Sequence, residues 1–177
     1  AFTAHHDVGI KGFTLDQKKQ LIDILNPYGK IFITTEKEIE PELDQYKLNI
    51  SQEKIHSLLY YATMFIGDSQ TMTSEAAVLG TPALKLNSFA GKLSVPNELE
   101  KTYELCYSFL PNEFGDMLTK IEELLNMKNL KLQWQQRRAK MLSDKIDVTA
   151  FMVWFIEDYP KSVEIIKKNP NFQVRFK

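Results

Sequence analysis

The chain has 177 residues, with 22 Lys and Arg against 23 Asp and Glu, a formal net charge of -1 and 44% apolar residues. That length suits one domain with a sizeable core. The near-neutral balance removes whole-chain steering toward nucleic acid or an anionic membrane, and no apolar run approaches the roughly 18 residues that span a bilayer.

The chain opens AFTAHHDVGIKG, which reads as the end of a buried strand running into a polar, glycine-bearing turn. Leu15, Leu21, Ile22 and Leu25 then fall at helical spacing. Thr14 is the expected N-cap, and Asn26-Pro27-Tyr28-Gly29 the stop. Residues 30–35 (KIFITT) are β-rich and predict a strand. Residues 36–49 are charged and hold Pro41, so a loop with at most one helical turn is expected. Ser51 is the expected cap of a helix through Ala62.

Residues 64–68 predict a buried strand, 69–79 a helix ended by Gly80 in the C′ position, and 82–86 the next strand. A loop with Gly91 and Pro96, a short helix over 97–103, a strand over 106–110 and an amphipathic helix over 112–127 follow. Strand and helix alternating about every dozen residues means βαβ units and a parallel sheet covered on both faces. Cys106, the single cysteine, lies between Leu105 and Tyr107. It reads as a reduced core thiol of a cytoplasmic protein. The last third is helical, first basic (133–145), then aromatic (148–156). There Phe151, Met152, Trp154 and Phe155 make an apolar face that suits either packing on the sheet's edge or cover for a partner domain.

Residues 65–86, FIGDSQTMTSEAAVLGTPALKL, carry the most chemistry. A strand ends in Asp68-Ser69, and a polar turn enters a helix whose first turns hold Gln70, Thr71, Thr73, Ser74 and Glu75. Free N–H groups at a helix N-terminus attract phosphate. The hydroxyls of Ser69, Thr71 and Thr73 add donors, and Glu75 can accept from vicinal ribose hydroxyls. In open α/β sheets ligands lie beyond the carboxyl ends of strands, where this turn falls. The plainer alternative makes Asp68, Ser69 and Thr71 simple caps and Glu75 a carboxylate favoured by the helix dipole.

This stretch resembles the donor-binding segment of GT-B-fold enzymes, above all the non-hydrolysing UDP-N-acetylglucosamine 2-epimerases. Their pattern there is D-S-G-G-x-Q-E-E-A-x-x-L-G-x-P. Asp68, Ser69, Glu75, Ala76, Leu79, Gly80 and Pro82 match it without gaps. Gln70 and Thr71 replace its two glycines, which a backbone would use to approach a pyrophosphate closely. Thr3 and His5 likewise match the family's T-x-H-R, with basic His6 in place of Arg, while its following acidic–amide pair has no counterpart. The chain is also similar to a family of bacterial and archaeal GT-B-like proteins. The resemblance covers roughly the first two thirds, to about Leu110.

It implies a Rossmann-like, three-layer α/β domain with a parallel sheet, the C-terminal half of a GT-B fold. Residues 1–128 would form the core and 129–177 a helical extension. It implies Ser69 as a phosphate ligand and Glu75 as the ribose ligand, with Gln70, Thr71 and Ser74 on the same turn and His6 and Lys11 as cationic neighbours. His5, whose unperturbed pKa lies near neutrality, would serve as acid, base or donor at the reacting sugar. The expected activity is glycosyl transfer from a UDP-linked nucleotide sugar for cell-envelope polysaccharide. The expected partner is an N-terminal GT-B domain of a longer protein, of which this chain would be a piece. A 2-epimerase-like isomerase and a non-catalytic nucleotide- or protein-binding module are the alternatives.

No cofactor beyond the substrate is expected. No metal site is expected at His5, His6 and Asp7: on an extended segment His5 and Asp7 could converge but His6 could not, and no HxH, HExxH or CxxC completes a shell. Arg137, Arg138, Lys140 and Lys145 read as a solvated face rather than a nucleic-acid surface. A membrane association, if any, would be peripheral. Thr34-Thr35-Glu36 reads as a strand exit, and 87–92 (NSFAGK) as a loop that borders the cleft.

Overall fold

Thr14 opens helix α1 (Leu15–Leu25) with a reciprocal capping box: its hydroxyl accepts from the Gln17 N–H at 3.2 Å, and the Gln17 side chain accepts from the Thr14 N–H at 3.0 Å. The computed structural model describes residues 12–35 and 38–177. These fall into two compact units, one reaching Arg137 and the other Arg138–Lys177.

The first unit is mixed α/β around an open sheet of three parallel strands, β1 (Phe65–Gly67), β2 (Ala83–Leu86) and β3 (Cys106–Phe109), in the order β1-β2-β3. Register pairs Gly67 with Lys85 and Lys85 with Ser108. The connections are helical: α3 (Gln70–Val78) links β1 to β2, and α4 (Ser94–Lys101) links β2 to β3. Helix α2 (Ile55–Tyr61) precedes β1, and α5 (Phe114–Leu125) follows β3. Helix α6 (Leu130–Asp144) runs from the first unit into the second.

Side chains alternate along a strand, and this places helices on both faces. Lys85 reaches Gln70 of α3, and the Cys106 thiol faces the Pro96 carbonyl of α4 at 3.8 Å. Neighbouring Tyr107 points the other way, under Lys120 of α5 and toward Trp134 of α6. Every residue of β2 is buried, as a central parallel strand requires.

The amino end of the sheet is closed by the first half of α6. Trp134, fully buried, donates its indole N–H to the Leu105 carbonyl at 2.9 Å. The Gln135 amide donates to the carbonyls of Leu79 and Gly80, each at 3.2 Å. These contacts draw α6 into the first unit as far as Arg137. Helix α3 ends in a Schellman turn, with Thr81 N–H bonded to the Ala76 carbonyl and Gly80 N–H to that of Ala77. Gly80 sits at φ 76°, which glycine adopts without a Cβ penalty.

Three expected elements differ. Residues 30–35 form no sheet strand among the described residues: Ile33 makes only an isolated parallel bridge to Lys47, with its N–H bonded to the Tyr46 carbonyl. Strand propensity needs a partner surface, and the one among the described residues is the short exit of a 3-10 turn (Pro41–Tyr46). Ser51 caps nothing, because the turn after it (Gln52–Lys54) is 3-10 and its hydroxyl goes to Glu53. Helix α4 starts at Ser94, so Pro96 lies inside its first turn, where a missing N–H has no intrahelical acceptor to lose.

In the second unit Asp147 caps α7 (Val148–Glu157) by accepting from the Ala150 N–H at 2.9 Å. Helix α8 (Lys161–Lys168) and a final 3-10 turn (Pro170–Phe176) follow. Phe151, Trp154 and Phe155 cluster with Phe172 and Phe176, the Trp154 and Phe172 centroids 4.8 Å apart. That accounts for the aromatic part of the apolar face. Val148, Met152, Val153 and Ile156 stay exposed. Among the described residues no helix is long and apolar enough to cross a membrane.

Candidate functional site

The carboxyl end of the sheet is where its polar residues gather. Beyond β1, Ser69 is the N-cap of α3: its hydroxyl accepts from the Met72 N–H at 3.3 Å, and its carbonyl takes the Thr73 hydroxyl at 2.7 Å. The cap satisfies the third turn position. The N–H groups of Gln70 and Thr71 have no acceptor within the helix. Thr73 is fully buried with its hydroxyl committed to Ser69, so it presents nothing to a ligand. Thr71 is exposed. The Ser74 hydroxyl bonds back to the Gln70 carbonyl at 3.1 Å.

Gln70, Thr71 and Ser74 form one wall of a groove of about 410 Å³ whose other wall is Leu93 and the first turn of α4, Ser94, Val95 and Pro96. Two helix N-termini therefore open on one groove. A second depression, of about 380 Å³, is lined by Tyr60, Tyr61, Leu130 and Lys131. It lies before β1, at the amino end, where α/β sheets do not bind ligands. Its lysine is engaged already, by the Tyr60 carbonyl and over the Tyr60 ring at 4.8 Å.

Glu75 lies apart from the groove. One residue on from Ser74, it turns about 100° around α3 and meets His56 of α2, Oε2 to Nε2 at 3.4 Å, with its side chain one third exposed. The structure thus brings Gln70, Thr71 and Ser74 together, with Ser69 as their cap and Glu75 on the flank of the helix that faces α2. His5, His6 and Lys11 lie outside the described residues, as does Glu36.

Behind the groove is a buried polar cluster that the sequence reading passed over. Lys85 has no exposed surface, and its ammonium donates to Gln70 Oε1 at 2.6 Å. Asn87, 1% exposed, donates to the Asp68 carbonyl at 2.9 Å and to Gln70 Oε1 at 3.4 Å. Its Oδ1 accepts from the Phe89 N–H at 3.0 Å, which fixes the loop toward α4. Asn87 thus ties the ends of β1 and β2 to the groove-lining loop. Burial lowers the Lys85 pKa, against the charges of Cys106 and Glu100, which raise it. Burial pushes the Cys106 thiol up to about 12, Glu100 adding to the rise and Lys85 opposing it. The available signal was Lys85 itself: a strand whose residues must all be buried, Ala83-Leu84-Lys85-Leu86, carries one charge.

The chain matches no family model, no curated protein and no solved structure.

Proposed function

We propose that the chain binds a UDP-linked nucleotide diphosphate sugar as the donor domain of a GT-B-type glycosyltransferase of cell-envelope polysaccharide synthesis. One observation carries this reading. The first turn of α3, at the carboxyl end of a parallel sheet, holds N–H groups that have no acceptor within the helix and two hydroxyl-bearing residues, Thr71 and Ser74, on a groove shared with the start of α4.

In this reading the diphosphate sits at the α3 N-terminus. The helix dipole and N–H groups stabilise charge that grows on the leaving nucleotide as the glycosidic bond breaks. Thr71 adds a hydroxyl donor where the resembling family uses bare glycine backbone, while the Ser74 hydroxyl stays on the Gln70 carbonyl. Glu75 takes the ribose on the α2 side of the helix, exchanging its contact with His56. His5 faces the reacting sugar, and the N-terminal domain of the longer protein supplies the acceptor and closes the cleft. The work is cytoplasmic, where nucleotide sugars are the donors.

Ligand-observed NMR with UDP, GDP, CDP and UDP-N-acetylglucosamine tests it, on the chain and on Glu75→Ala. The partly exposed Glu75 can be truncated without opening a cavity. UDP species should bind, and Glu75→Ala should weaken them while sparing inorganic pyrophosphate. Binding that is indifferent to Glu75, or no binding by any nucleotide, overturns the assignment. Free UDP released from a UDP-sugar would mark transfer, since an isomerase returns the nucleotide still attached.

A further inference from the structure

The cluster behind the groove has too many donors. An ammonium carries three N–H bonds, and among the described residues Lys85 has one partner, Gln70 Oε1. Gln70 Nε2 is buried without any partner, and so is the hydroxyl of Ser108, the register neighbour of Lys85 on the same sheet face. Gln70 Oε1 already serves two donors, Lys85 and Asn87. Among the described residues no carboxylate lies within ion-pair distance of Lys85. The nearest acidic influence is Glu100 on α4.

Buried donors without acceptors are expensive, and a buried ammonium without a counter-charge more so. What such a cluster lacks is one group with several lone pairs and a negative charge. Gln70 stands between the cluster and the open groove: it lines the groove, and its amide oxygen reaches inward to Lys85. That oxygen occupies the place an oxyanion would take.

We propose that Lys85, Gln70 and Ser108 form a phosphoryl-binding pocket at the floor of the α3–α4 groove, entered when the Gln70 side chain swings out and yields its place on Lys85 to a phosphoryl oxygen. The pocket rests on the donor-site reading only for what carries the phosphoryl group. A bound phosphate also gains from the N–H groups at the α3 N-terminus, and it supplies the counter-charge that the Lys85 ammonium lacks. No bond is made or broken.

The test is titration calorimetry in phosphate-free buffer with inorganic phosphate, pyrophosphate and UDP. The proteins are the chain, Lys85→Met, Ser108→Ala and Gln70→Ala, each checked for native circular dichroism. Pyrophosphate should bind the chain, at least about tenfold more weakly to Lys85→Met, and equally or more tightly to Gln70→Ala, which lacks the internal competitor. The Lys85 Nζ resonance should shift on pyrophosphate addition. Pyrophosphate binding that Lys85→Met leaves intact overturns the pocket, as does failure of both the chain and Gln70→Ala to bind any of the three. UDP bound equally by the chain and Lys85→Met overturns the pocket and leaves the donor site standing. Pyrophosphate binding that needs Lys85, with no added affinity for UDP, upholds the pocket and removes the nucleotide.

Discussion

Cys106 and Lys85 share one face of the sheet, and burial acts on them with opposite signs. A thiol held protonated in the fold ionises freely in the unfolded chain, near its ordinary 9.0. Above that pH the unfolded state binds fewer protons than the fold, so stability falls as pH rises. With the folded thiol at about 12, the loss runs at about 1.4 kcal/mol per pH unit, or about 2 kcal/mol between pH 9 and 10.5. Lys85 works the other way. Its folded pKa is lowered, so between that value and the ordinary lysine range the unfolded chain binds the extra proton, and stability rises with pH. Glu100 faces both groups and favours the protonated form of each. Urea unfolding followed by circular dichroism at pH 8, 9, 10 and 10.5, in phosphate-free buffer, separates the two. Relative to the unmodified chain, Cys106→Ala should gain about 2 kcal/mol between pH 9 and 10.5, on top of a constant cavity loss. Lys85→Met should be most stabilised near neutrality, its advantage shrinking as pH rises. Parallel profiles for Cys106→Ala and the unmodified chain would refute the burial argument for the thiol, and a Lys85→Met advantage that grows with pH would refute it for the amine.

Ser69→Ala removes the α3 cap and should lower stability by about 1 kcal/mol, with Ser69→Gly less affected; urea midpoints decide between them. Gly67→Ala places a Cβ 2.6 Å from the Phe65 ring tip, so the ring must move. A loss of about 1–3 kcal/mol is expected, and an unchanged midpoint would show that the ring turns freely. Trp134→Phe leaves the buried Leu105 carbonyl without its donor and opens space beneath β3. It should lower stability by about 2–3 kcal/mol and loosen amide-exchange protection at residues 105–107.

Much of the fold was written in local chemistry. The Thr14 cap, the Ser69 cap and the Gly80 stop are settled within a few residues of themselves, and each stands where its sequence placed it. The strands at 65–67, 83–86 and 106–109 announced themselves as short apolar runs between such stops. What depended on distant partners was harder to read. Residues 30–35 have every local mark of a strand and lack a sheet neighbour among the described residues. Trp134 sits in a helix that reads as basic, and only its bond to Leu105, 29 residues away, draws it into the core. The site divides in the same way. Ser69, Gln70, Thr71 and Ser74 were legible because one helix turn holds them. Lys85 and Ser108 meet only through the register of two strands, and Glu75 turns from the groove because α2 offers His56.

β1 is an edge strand of three residues that pairs only with β2 among the described residues. Three residues present about 10 Å of unpaired backbone, too little to template stable pairing with a second unfolded chain. Among the described residues that edge is therefore a small aggregation hazard. Substitutions that lengthened β1 past Asp68 would straighten the turn that begins α3 and enlarge that hazard together. Selection against self-association and selection for the α3 N-terminus thus act on the same two or three residues.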